Sequence, residues 1–156
     1  PRPKTVGRLE YTFDIALKFL GPKDYVVVNE KQVEVSGQQA PWVFNSMARG
    51  LKTCTVPLRN KTDQPAAYTV RLYFAEVGDV TAGQRQFDVK LQGQLVAQNI
   101  DIVKDAGGRG KSLVRTFKGV KVTENLAVEL VPQAKGKNVH QVPILSAIEV
   151  QIEPSK

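Results

Sequence analysis

The chain has 156 residues, enough for one domain with a real core and few for two. Its 42% hydrophobic and 24% charged content argue against disorder, and no run approaches the ~18 consecutive apolar residues of a membrane-spanning helix. The net charge of +7 is compatible with nucleic acid, an anionic membrane or an acidic polysaccharide as partner, and selects none of them.

In chain order, strands are predicted over residues 8–17, 25–28, 33–35, 42–44, 51–58, 68–76, 86–91, 95–102, 112–117, 126–131 and 144–152. Many are rich in Val, Ile, Thr, Tyr or Phe and alternate in polarity. Tyr68, Val70, Leu72 and Phe74 face one way, with Thr69, Arg71 and Tyr73 opposite. Phe87, Val89 and Leu91 repeat the pattern against Asp88 and Lys90. Turn signals separate the runs, among them Gly21-Pro22, Gly78-Asp79, Gln92-Gly93, Gly107-Gly108 and Lys118-Gly119. Many short strands with regular turns predict an all-β, antiparallel sandwich of jelly-roll type. Short helices are allowed only at residues 102–106 or 46–51. Residues 1–7 and 153–156 read as frayed ends. Residues 8–50 read as opening strands whose place is the least defined, and the whole of 1–156 reads as one domain.

Cys54 is the single cysteine, so no internal disulfide and no cysteine-based zinc site can form. Its place in an alternating run predicts a buried structural thiol. Lys and Arg are spread along the chain, with a modest concentration between Lys104 and Lys121, and no nucleic-acid module appears. A solvated basic face is expected, with no nucleic-acid partner, no membrane insertion and no cofactor. The stretch Gly107-Gly108-Arg109-Gly110-Lys111-Ser112 is not a phosphate loop. Asp105 stands where the first glycine would be, and the flanks read as strand. Asn60-Lys61-Thr62 meets the N-glycosylation pattern and equally makes a good turn. The acids are scattered over strand faces and turns, and the lone His140 has no nearby acid or cysteine, so catalysis and a metal site have no candidates.

Certain words carry more than alternation. They are Phe74-Ala75-Glu76 at the end of a strand, then Phe87-Asp88-Val89, Gly93 in the hairpin, Asp101-Ile102, and the closing run from Pro143 through Ile144, Ser146 and Ile148 to Val150. In this order and with these separations, residues from about Leu51 to Ile152 resemble the malectin family of carbohydrate-binding β-sandwiches. The resemblance implies a sandwich whose loops at one end hold a sugar through stacked aromatics and a carboxylate. It also implies an accessory role in an extracytoplasmic protein, with protein contact rather than sugar binding in some relatives. Where sugar-binding members carry a Tyr-Phe pair after Phe-Ala-Glu, this chain has Gly78-Asp79. The loop before the last strand, residues 135–141, has no acid.

The candidate ligand residues are therefore Trp42, Asp79, Asn138, His140 and Gln141, across one loop end. Flanking Val43 and Phe44 favour a packing role for Trp42 over a sugar platform. Asp79 reads as a ligand acceptor or, more simply, as a turn aspartate capping its own backbone. Glu76 and Asp88, with Phe74 and Phe87, read as structural, the two acids satisfying backbone groups, Arg71 or Arg85 at strand ends. Two functions follow: a non-catalytic carbohydrate-binding module favouring anionic polysaccharide, or a structural module packing on a neighbouring domain or protein. An exposed Trp42 ring beside polar groups would favour the first.

Overall fold

The computed structural model describes residues 4–6, 9–11, 15–37 and 40–155. They form strands β1 (Lys4–Val6), β2 (Leu9–Tyr11), β3 (Ala16–Phe19), β4 (Tyr25–Val27), β5 (Ser46–Arg49), β6 (Leu51–Pro57), β7 (Ala66–Ala75), β8 (Gln86–Leu91), β9 (Gln94–Asp101), β10 (Ser112–Val122), β11 (Asn125–Pro132), β12 (Ile144–Leu145) and β13 (Ala147–Ile152). One short helix, α1 (Ile102–Ala106), follows β9, and 3-10 turns lie at Glu30–Gln32 and Pro41–Phe44.

One layer is the five-stranded sheet β3-β6-β11-β8-β9. The other is built from two three-stranded sheets, β10-β7-β13 and β12-β5-β4. These abut at Ser146, whose N–H donates to Tyr73 O at 2.9 Å between β12 and β13. All the strand pairings are antiparallel. The core between the layers follows the alternation. Val70, Leu72 and Phe74 of β7 meet Phe87, Val89 and Leu91 of β8 and Leu126, Val128 and Leu130 of β11. The Phe74 and Phe87 rings lie 5.7 Å apart. Cys54 is buried among them, and burial pushes its thiol up to about 11.

Several elements differ from expectation. The run 42–44 is a 3-10 turn with Pro41 in its first position, where the missing N–H costs nothing. Residues 46–49 are strand β5, paired on both sides by β4 and β12, and not a helix. Of the run 33–35, only Glu34 makes a bridge, to Lys111. The run 8–17 falls partly outside the described residues and otherwise divides between β2 and β3. Residues 4–6 pair with β2 rather than fraying. Glu153 is also held, by its N–H on Ala67 O and by its carboxylate, which accepts from Thr69 Oγ1 and Gly119 N. Lys118-Gly119 is not a turn between strands. It is a bulge inside β10, one extra residue between the pairs Phe117–Val70 and Val120–Tyr68.

The β8–β9 hairpin turns on Gln92 and Gly93, both with positive φ (53° and 76°), as a two-residue hairpin with native twist requires. Gln92 tolerates this because its side chain bonds the Lys121 and Asn125 carbonyls and the Ala127 N–H. Helix α1 falls on one of the two places where a short helix was allowed, and it is capped at both ends. Asp101 accepts from Lys104 N at 3.1 Å, and Gly107 closes it in a left-handed conformation.

The outer face of β7 is also covered. Tyr73 lies under Phe44, their rings edge-on at 6.1 Å. Burial, a hydrogen bond to Glu149 and that carboxylate's charge push the Tyr73 phenol up to about 12.

Phe87→Ala is expected to cost about 3–5 kcal/mol in urea unfolding, because it empties the centre of the core. Val27→Ala, at a residue 79% exposed, should stay within about 0.5 kcal/mol. The folded state holds the Tyr73 proton more tightly than the unfolded chain. Stability from this group is therefore complete below its ordinary pKa of 10 and falls as pH rises from 10 towards 12. Denaturation midpoints from pH 9 to 12 should show a shallower alkaline decline in Tyr73→Phe than in the parent chain.

Candidate binding site at the loop end of the sandwich

Strand β7 ends at Ala75, and the next side chain, Glu76, turns inward. Its carboxylate accepts from Arg85 Nε at 2.6 Å and from Gly78 N at 3.0 Å. Both charged residues are almost fully buried, Glu76 at 2% and Arg85 at 4% exposure. Arg85 Nη1 also donates to the Val142 carbonyl. One ion pair thereby fixes the loop 77–85 at both ends and ties it to the segment before β12. The Glu76 carbonyl accepts from Gly110 N at 2.7 Å, and Gly110 O accepts from Glu34 N at 2.5 Å. A side chain at Gly110 would meet Gln32 O at 2.8 Å with φ at +69°, so the approach of these loops requires glycine.

On this base the expected ligand residues are placed as follows. Asp79 does not cap its own turn; it accepts from Arg109 Nη1 at 2.9 Å in an exposed pair. Arg109 also reaches Gly78 O at 3.2 Å. Asn138 is a turn former: its side chain accepts from His140 N at 2.9 Å and its carbonyl from Gln141 N and Val142 N. His140 and Gln141 are half-buried beside it. Arg85 links this turn, through Val142, to the loop that carries Asp79.

Trp42 departs from the packing role its neighbours suggested. The residue is 68% exposed, and Phe44 takes the buried position of the turn. Phe44 and Val43 rest in a small second core with Tyr73, Ala75 and Val77, at the strand end that leads into Gly78-Asp79. The ring thus stands at the same end of the sandwich. Among the described residues, no hydrogen bond, ion pair or ring contact joins Trp42 to Asp79 or to residues 138–141. Trp42 is an exposed aromatic plate and is not part of a closed pocket with these residues.

Glu76 is held in the buried ion pair, and Asp88 hydrogen-bonds across its own sheet. Asp88 accepts from Asn99 N at 2.8 Å and Gln133 Nε2 at 2.7 Å, holding the outer face of β8 to its neighbours. Arg109 as the partner of Asp79 was missed; its glycine-rich surroundings invited only the phosphate-loop comparison, which fails. Among the described residues no cluster of three His, Cys, Asp or Glu side chains is placed to hold a metal ion.

Arg85→Met should destabilise the fold by about 3–5 kcal/mol, since Glu76 is left buried and unpaired. Combining it with Glu76→Leu should recover much of that loss. Asp79→Ala, removing an exposed pair, should change the unfolding free energy measured in urea by less than about 1 kcal/mol.

A family model described as Malectin domain matches residues 23–149. The match begins upstream of Leu51, so Trp42 and its turn fall within it. A probable LRR receptor-like serine/threonine-protein kinase of Arabidopsis thaliana is 35% identical over 96 residues, covering 54% of this chain and 9% of the relative. A solved β-glucuronidase 2 of Bacteroides uniformis, covalently bound to cyclophellitol-6-carboxylate aziridine, superposes with a TM-score of 0.66 at 12% identity. That match covers 95% of this chain and 16% of the enzyme. The plant receptor FER, solved with the peptide RALF23 and LLG2, gives a TM-score of 0.67 at 17% identity over 87% of this chain and 40% of that one. The structural matches show the fold alone, and this chain spans a minor part of each relative. With the family model matching residues 23–149 of 156, the chain belongs to the malectin domain family.

Proposed function

We propose that this chain is a non-catalytic carbohydrate-binding module of a larger extracytoplasmic protein, with Trp42 as its sugar-stacking platform. The observation that carries this reading is the 68% exposure of a tryptophan on a turn anchored by the fully buried Phe44. An exposed indole has no role in the core, and an aromatic plate matches the apolar C–H face of a pyranose ring. In this reading Asp79, Asn138, His140 and Gln141 would supply the polar groups that meet the sugar hydroxyls. The net charge of +7 favours an acidic glycan over a neutral one. The extracytoplasmic setting rests on the receptor-like relative. The non-catalytic reading rests on the scatter of the acids along the sequence and on Glu76, the acid at the base of the loop end, being committed to its ion pair with Arg85.

A second reading, an interaction module for a peptide or protein, is favoured by one specific finding. The FER structure, which shares the fold, was solved with a peptide and a second protein. The exchange of a Tyr-Phe pair for Gly78-Asp79 is consistent with it.

A glycan array at low and moderate salt, with Trp42→Ala in parallel, separates the two. The expected result is binding that survives moderate salt and falls about tenfold or more in Trp42→Ala, the scale of a lost central aromatic contact. Glycan binding that ignores the substitution would remove Trp42 as the platform, and a folded protein that binds no glycan would transfer the role to a protein partner.

A further inference from the structure

Strand β13 ends its sheet and pairs with β7 alone. Just past its end, Glu153 N donates to Ala67 O at 2.9 Å. In an antiparallel ladder every second residue turns its backbone groups to the same neighbour. Gln151, Glu149 and Ala147 therefore bond β7, and Ile148, Val150 and Ile152 turn their N–H and C=O groups to the open side. Among the described residues nothing pairs with those groups.

The other open edges are blunted. The pairing of β9 with β8 shifts register twice, and β10 carries its bulge with Lys118 and Lys121. Strand β3 holds Lys18 at a register shift, and β4 and β12 are three and two residues long. Bulges, lysines and short strands are the usual guards against edge-to-edge pairing. Strand β13 has none of them. Its register with β7 is unbroken over Ala147–Ile152, and that run contains no Lys, Arg or Pro. Its inward face is also unfinished. Ile148 and Val150 line an open groove of about 280 Å³ with Met47, Leu51 and Cys54, and Ile152 is 56% exposed.

We propose that β13 pairs antiparallel with β13 of a second copy of this chain, joining two β10-β7-β13 sheets into one of six strands. The run is self-complementary when the two-fold axis passes through Val150. Ile148 of one copy then lies opposite Ile152 of the other, and Glu149 opposite Gln151, so the apolar residues form one row and no like charges face each other. An axis one residue later would set Glu149 against Glu153 and is disfavoured. A segment of another sequence would have to supply this pattern, whereas a second copy supplies it by symmetry. The pairing does not depend on what the loop end binds.

The test is mass by sedimentation equilibrium from about 1 μM to about 1 mM, with amide exchange read at the two extremes. Moderate salt screens the repulsion between two chains of net charge +7. The expected result is a monomer–dimer equilibrium in which exchange at Ile148, Val150 and Ile152 slows on concentration. Gln151→Glu, which sets a like charge against Glu149 twice per dimer, should weaken association about threefold or more, and Gln151→Lys should not weaken it. Ile152→Pro removes an outward N–H, keeps the bonds to β7, and should leave a folded monomer. Leu95→Lys, on the β9 edge, should leave the dimer unchanged. A monomer throughout the range would overturn the proposal, as would a dimer indifferent to Gln151→Glu and Ile152→Pro or one lost in Leu95→Lys. Slow exchange at the three amides already in the dilute monomer would mean that the edge is covered within one chain, and would overturn it as well.

Discussion

The buried Glu76–Arg85 ion pair is the constraint on which the loop end depends. Taking both charges out of water is costly, and the attraction between them offsets that cost only when the remaining polar groups are satisfied. Here they are: Gly78 N takes the second carboxylate oxygen and Val142 O takes a guanidinium N–H. The consequence is positional. The loop 77–85 is clamped at both ends, the 138–142 turn is drawn against it, and the Glu76 carbonyl anchors Gly110 and the loop that bears Arg109. Loops of this kind would otherwise be the mobile part of a sandwich, and a site spread over them needs such a clamp.

The second support for the site is apolar. Strand β7 is buried on both faces over its last residues, against the main core by Leu72 and Phe74 and against Phe44 by Tyr73. The 3-10 turn at Pro41–Phe44 therefore sits on a rigid strand. Among the described residues Trp42 is the most exposed aromatic side chain, and it is held at its backbone rather than by its ring. Such a plate meets a ligand with little ordering of the protein, which limits the entropic cost of binding.

Much of the sandwich was legible because β7, β8 and β11 each keep one face inward, and period-two alternation records that directly. The Glu76–Arg85 pair was legible because an acid at a strand end needs a partner and Arg85 stood nearby in sequence. What misled was local composition. Trp42-Val43-Phe44 is as apolar as a strand, and three residues hold too few turns of any period to tell a 3-10 turn from an extended run. Which of its two large rings would be buried depends on Tyr73, thirty or so residues away in the chain and invisible to local pattern. Lys118-Gly119 carries the signature of a turn, and only the pairing of β10 with β7 on both sides of it shows a bulge. The partnership of Asp79 with Arg109 likewise joins two loops that sequence alone leaves independent.

Trp42 is the sole tryptophan, so its fluorescence reports on the proposed platform without interference from another indole. The decisive measurement is its emission and its quenching by acrylamide in the folded protein, with and without glycans bound on the array. The account predicts a water-exposed, readily quenched indole that shifts to the blue and becomes shielded as glycan is added. An indole already shielded in the free protein, or one whose emission ignores a bound glycan, would contradict it.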